Sequence, residues 1–138
     1  MSLKVLLVDD DQMALFLQKI IILESKFTFE LNTFTNGKDA LNYIEDNSGA
    51  GDDFFIFLDI NMPHMNGWQL LDAINNRSQF TDRVFVAMVS SYSTITDETA
   101  YSNYEQIVYT FEKPVTIEGC IEIMELPSLK KYFKNQRV

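Results

Sequence analysis

Cysteine and histidine are almost missing from this chain: its 138 residues hold one of each, Cys120 and His64. A lone cysteine cannot close an internal disulfide, which agrees with a reducing compartment. Cys120 lies on an apolar helical stripe, so a buried thiol is expected there, not a reactive one. His64 has no cysteine or second histidine near it and sits beside Pro63. It reads as a loop residue facing solvent, not as a metal ligand or a catalytic base. Long hydrophobic runs are absent too, and no stretch approaches the roughly 20 apolar residues that cross a bilayer. No basic, apolar leader precedes the first apolar run, so the expected location is the cytoplasm, away from membranes. Positive charge is scarce in the body of the chain. Residues 1–126 hold all 20 acids but 7 of the 11 bases, a local charge of −13 within a net charge of −9. That balance argues against direct nucleic-acid binding, which relies on neutralising phosphates. Four bases, Lys130, Lys131, Lys134 and Arg137, sit in the last twelve residues, where a helix end would suit them. Internal repeats and low-complexity segments are also absent, and the size fits one domain with a real core.

Five apolar segments, residues 3–8, 27–33, 54–58, 84–89 and 107–111, alternate with helical patterns. That alternation predicts an α/β protein with a parallel sheet covered by helices on both faces. Four of the segments are near-continuous apolar runs, as strands buried on both faces should be. The second alternates, with Phe27, Phe29 and Leu31 on one side and Thr28, Glu30 and Asn32 on the other, which predicts an edge strand over 27–33. Helices are expected over 12–23, 38–45, 68–75 and, with few apolar residues to anchor it, 94–103. The fifth helix has Thr116 as N-cap, an apolar stripe of Ile117, Cys120, Ile121 and Met124, and Pro127 as a stop. Trp68 is expected on the inner or lateral face of the third helix.

The chemistry gathers at the ends of the apolar runs. The first empties into Asp9, Asp10 and Asp11, the third into Asp59, the fourth into Ser90 and the fifth into Lys113-Pro114. In an open parallel sheet the carboxyl ends of the strands border one crevice, where ligands bind. Taken alone, Asp9, Asp10 and Asp11 read as a solvated turn with Asp11 capping the first helix. Carboxylates packed together repel unless a divalent cation holds them, and an all-oxygen set favours Mg²⁺. Mg²⁺ commonly binds one or two carboxylates together with a phosphate, so a phosphoryl group is the expected guest.

In order along the chain stand Val8-Asp9-Asp10, the block Asp59-Ile60-Asn61-Met62-Pro63-His64-Met65-Asn66-Gly67, Ser90 and Lys113-Pro114. This series resembles the receiver domain of two-component response regulators, over about residues 3–125. The resemblance implies a flavodoxin-like, doubly wound five-stranded sheet in the order 2-1-3-4-5 with five helices. It implies that Asp59 accepts a phosphoryl group from a phosphohistidine on a sensor histidine kinase or phosphotransfer protein. Asp10, Asp59 and the backbone carbonyl of Asn61 would ligate Mg²⁺, with Asp9 acting mostly through water. Lys113 would pair with Asp59 and then with the phosphate, while the Ser90 hydroxyl would draw in the loop after the fourth strand. Such a protein is a signalling module, not an enzyme with its own substrate, and loses its phosphate slowly by itself. Its readout would be a protein target, or a second copy, on the surface of the fourth helix, fifth strand and fifth helix.

Three positions depart from or modulate that pattern. Many receivers carry an aromatic ring three residues before the lysine, and Thr110 stands there between Tyr109 and Phe111. Either the register shifts or another group reports the switch. Asn61 and Tyr92 would flank the route of water to the phosphate, and a bulky Tyr92 would slow hydrolysis. Residues 1–126 are expected to form the receiver and 127–138 an extension without an output domain, helical near Leu129, Tyr132 and Phe133. Two rivals remain. A hydrolase of the haloacid dehalogenase type would need an acid where Asn61 stands. A receiver-like module that binds partners without being phosphorylated would need none of Asp59, Ser90 and Lys113.

Overall fold

The structure, a computed structural model, describes residues 3–62, 67–77, 80, 82–90 and 104–133. Its strands are β1 (Leu3–Val8), β2 (Leu31–Phe34), β3 (Asp53–Asp59), β4 (Val84–Ser90) and β5 (Ile107–Glu112). All pairings are parallel, in the order β2-β1-β3-β4-β5. The described helices are α1 (Gln12–Glu24), α2 (Gly37–Asn47), α3 (Gly67–Asn75), α4 (Ile117–Met124) and a short α5 (Lys130–Phe133). The helix expected over 94–103 lies outside the described residues, as do Tyr92, Pro63, His64, Lys134 and Arg137. Among the described residues no helix is long and apolar enough to cross a membrane.

The continuous apolar runs follow from burial on both faces. Successive side chains of a strand point to opposite sides, so β3 sends Phe54, Ile56 and Leu58 into one core and Phe55 and Phe57 into the other. The first core is closed by Ala40, Leu41 and Ile44 of α2 and Leu70, Leu71 and Ile74 of α3. The second is closed by Ile22 of α1, Cys120, Ile123 and Met124 of α4, and Leu129 and Phe133 at α5. Trp68 packs on the rim of the first core, stacked on Tyr104 at 5.4 Å. Burial pushes the Cys120 thiol up to about 11, which suits the inert role expected of it.

Three sequence expectations shift. β2 is an edge strand, but it starts at Leu31 and not at Phe27. Phe27 instead plugs the second core, fully buried, with ring centroids 4.9 Å from Phe55, 5.0 Å from Phe57 and 4.8 Å from Phe133. The chain turns just before it at Lys26, which has φ 65°, and Thr28 exchanges hydrogen bonds with the Glu30 backbone. Phe29, expected on the same side as Phe27, is 75% exposed. In α4 the inward stripe is rotated: Gly119, Cys120, Ile123 and Met124 are buried, while Ile117 and Ile121 are on the outer side. A side chain at Gly119 would strike the Phe111 ring, so glycine lets the helix lie against β5. On α1 the apolar residues Met13, Phe16, Leu17 and Ile20 all face outward, between 41% and 67% exposed.

The register of β5 does shift, but Thr110 stays three residues before Lys113 and no ring takes its place. Val86 pairs with Ile107 but Ala87 pairs with Tyr109, so Val108 is a bulge that advances the rest of the strand by one residue. Val108, Tyr109 and Phe111 consequently all contact the second core, and Thr110 is exposed. The Tyr109 hydroxyl donates to Glu122 of α4.

Candidate functional site

The sheet brings its chemistry to one edge. Asp9 follows β1, Asp59 ends β3, Ser90 ends β4, and Lys113 follows β5. The strands place them there by register, since Val8 pairs with Leu58, Asp59 with Val89 and Ser90 with Glu112. The chain must leave β3 sharply to clear this edge. Gly67 permits it: its N–H donates to the Ile60 carbonyl at 3.2 Å, and an added Cβ would lie 2.8 Å from the Ile60 Cα.

Asp9, Asp10 and Asp59 each offer a carboxylate oxygen within 4.8 Å of the others. Asp9 is 0% exposed and Asp59 3%, whereas Asp10 is open to solvent. Lys113 Nζ bridges the two buried acids, 3.1 Å from Asp9 Oδ2 and 3.5 Å from Asp59 Oδ2. Asp59 Oδ1 accepts the Asn61 N–H at 3.1 Å. Ser90 is held by its backbone, whose carbonyl accepts the Lys113 N–H at 2.8 Å, and its buried hydroxyl has no hydrogen-bond partner among the described residues. The Lys113–Pro114 peptide bond is cis. Asp11 does not join the cluster, because its side chain caps α1 by accepting the N–H groups of Met13 and Ala14. His64 lies outside the described residues.

Electrostatics mark Asp59 as the strained member. Burial first, and then the neighbouring Asp9 charge, push its carboxyl up from 3.8 to about 6, against the Asn61 N–H and Lys113, which favour the anion. Burial works against the Lys113 ammonium, but contact with Asp9 and the charge of Asp59 outweigh it and hold its affinity for the proton above the ordinary lysine value. A pair of buried acids sharing one lysine, with a third acid beside them, is short of positive charge. The donor set of Asp9, Asp10 and Asp59 is oxygen only, which fits Mg²⁺.

The motif chemistry reached every member of this edge except one. Gln18 of α1 is 2% exposed, and its Nε2 donates to Asp9 Oδ2 at 3.0 Å. Its spacing from Leu15 and Ile22 puts it on the inward stripe of the helix. A glutamine on that stripe was the available signal.

Comparison with known proteins agrees with this geometry. The model of the response regulator receiver domain family matches residues 5–125. The chain belongs to that family. A relative in Dictyostelium discoideum, hybrid signal transduction histidine kinase L, is 32% identical over 134 residues, covering 96% of this chain and 7% of that protein. A two-component response regulator from Cytophaga hutchinsonii has a solved structure similar to this one, with TM-score 0.80 and 28% identity over 96% of this chain and 98% of that chain. The response regulator receiver protein of Dyadobacter fermentans shares the fold, with TM-score 0.78 and 24% identity over 96% of this chain and 98% of its own. A receiver domain is a signalling module, and its family places the chain in two-component phosphorelay signalling.

Proposed function

We propose that this receiver accepts a phosphoryl group on Asp59 from a phosphohistidine and thereby switches a protein-interaction surface. The observation that carries the reading is the bridged pair at the sheet edge: a buried carboxylate under strain, tied to Lys113 at 3.5 Å, with the unpartnered hydroxyl of Ser90 on the next strand. An Asp59 carboxylate oxygen forms the new P–O bond as the donor's N–P bond breaks, and the imidazole leaves with its electron pair and takes up a proton. Mg²⁺, when bound, offsets charge on the transferring oxygens. Asp10, Asp59 and the Asn61 carbonyl are its proposed direct ligands, with Asp9 acting through water. Lys113 pairs with Asp59 before transfer and with a phosphate oxygen afterwards, as a point charge. Ser90 gives its free hydroxyl to another phosphate oxygen.

The added charge of about −1.5 to −2 is enough to bias a two-state element whose states differ by a few kcal/mol. The proposed readout is β5 with the helices beside it, reaching a downstream protein or a second copy, in the cytoplasm. Thr110, and not a ring, stands at the usual coupling position of β5, so the Ser90 backbone link to Lys113 carries the signal between β4 and β5. The donor is a histidine kinase or phosphotransfer protein. Its seat is the outward stripe of α1, because Met13, Phe16, Leu17 and Ile20 run away from the crevice starting within one turn of Asp11. Phe16→Ser with Leu17→Ser would slow transfer from a protein donor and leave transfer from acetyl phosphate unchanged; equal slowing of both removes the stripe from that role.

The direct test is intact mass after incubation with acetyl phosphate and Mg²⁺. Wild type gains one phosphoryl group and Asp59→Asn gains none. No gain in wild type, with or without Mg²⁺, favours the second reading, a receiver-like module that binds its partner unphosphorylated.

A further inference from the structure

Asp9 is the most deeply held acid of the site, and its contacts divide by oxygen. Oδ1 accepts the Asp11 N–H at 2.9 Å. Oδ2 is shared by Lys113 Nζ at 3.1 Å and Gln18 Nε2 at 3.0 Å. Gln18 also donates to the Ala14 carbonyl one turn back, at 3.2 Å. Both partners are acceptors, so they fix the amide with its NH₂ toward Asp9; the reversed amide would set oxygen against oxygen. The consequence is that Gln18 Oε1 is left buried with no partner among the described residues. A buried carbonyl without a donor is a cost that leucine or methionine at this inward helix position would not carry. The residue's use therefore lies in its NH₂ group and in what that group touches.

We infer that Gln18 is a positioning residue for the cation site, holding the Asp9 carboxylate in place by a neutral donor that does not depend on Lys113. The inference rests on the Mg²⁺ site proposed above and goes beyond it. Lys113 is committed to two acids at once, and when it turns to a phosphate oxygen Asp9 Oδ2 loses its cation. Gln18 keeps its hydrogen bond through that change, so a fully buried carboxylate is not left bare and does not swing away from the metal. A neutral donor suits the task, because a second lysine here would compete with the divalent cation for the same charge. Outer partners of this kind typically set metal affinity by tenfold or more.

The test is Mg²⁺ binding to the full chain by calorimetry, without any phosphodonor, for wild type, Gln18→Met, Asp9→Asn and the double variant, with Tm of each metal-free protein measured alongside. Gln18→Met is expected to weaken Mg²⁺ binding by roughly tenfold, to leave metal-free Tm unchanged or raised, and to have no further effect once Asp9 is asparagine. Gln18→Asn keeps the amide but withdraws it by one methylene, and should reproduce the loss if the methionine variant does not fold. Unchanged Mg²⁺ affinity overturns the inference, and so does an equal loss with and without the Asp9 carboxylate. A wild type that binds no Mg²⁺ at all defeats the proposed cation site, and this inference with it, which separates the two failures.

Discussion

The two halves of the site differ in how completely they are bonded. On the β1 and β3 side every buried oxygen of Asp9 and Asp59 has a donor: the Asp11 and Asn61 N–H groups, Gln18 and Lys113. On the β4 side the Ser90 hydroxyl is equally buried and has none among the described residues. On the proposed reading, the acids are held ready before any ligand arrives, whereas the hydroxyl has a hydrogen bond still to make. A site built only for a cation needs the first half alone. The second half acquires a purpose when a group with several acceptor oxygens lies between Asp59 and Ser90, which is what a phosphoryl group provides. Lys113 belongs to both halves, through its ammonium to the acids and through its backbone to Ser90.

The comparison breaks most visibly if Lys113 is removed. Lys113→Met leaves Asp9 and Asp59 facing each other without a cation, and the rate of phosphorylation by acetyl phosphate should fall roughly a hundredfold. A rate within a factor of two or so of wild type would show that the lysine serves the fold and not the transfer.

A second expectation concerns the strain on the acid half. The Asp59 carboxyl rises from 3.8 to about 6 on folding, so between those values the folded state binds more protons than the unfolded one. Stability of the metal-free protein should therefore be greatest below about pH 4 as far as this group is concerned, and decline as pH rises through about 6. The difference corresponds to up to about 3 kcal/mol. Asp59→Asn, measured by denaturant unfolding in the presence of a chelator, should be more stable than wild type by up to that amount at pH 8. The gap should close on acidification. A variant less stable than wild type at pH 8 would mean that the lysine bridge outweighs burial.

The smallest effect is expected on the hydroxyl half. Ser90→Ala removes a group that makes no bond in the resting protein, so Mg²⁺ affinity and stability should stay within about 0.5 kcal/mol of wild type. Phosphorylation should slow by roughly tenfold, the loss of one hydrogen bond to a charged group. An equal loss of Mg²⁺ affinity would erase the distinction between the halves.

Much of this site is legible in the sequence, because strands covered on both faces read as continuous apolar runs and polar residues at their ends stand out. Asp59 after Phe54–Leu58 and Lys113 after Ile107–Phe111 are found on that ground alone. What was hidden depends on tertiary contacts. Phe27 alternates like a strand residue, yet the turn at Lys26 delivers it into the aromatic cluster of Phe55, Phe57 and Phe133. The inward face of α4 is set by the close approach of Gly119 to Phe111, which outranks the apolar stripe of Ile117 and Ile121. The bulge at Val108 has no sequence marker, although it decides which side of β5 Tyr109 occupies. Gln18 was missed because a glutamine in a helix is ordinarily taken for the solvent side, and only its burial beside Asp9 reveals otherwise.

The most direct measurement follows backbone amides by NMR as Mg²⁺ is added, and then beryllofluoride, which binds a carboxylate in the shape of a phosphoryl group. Mg²⁺ alone should shift the amides around Asp9, Asp10, Asp59 and Asn61 and leave Ser90 nearly still, and beryllofluoride should then move Ser90 and Lys113 together. A Ser90 amide that ignores beryllofluoride while the Asp59 amide responds would contradict the claim that the free hydroxyl awaits a phosphoryl group.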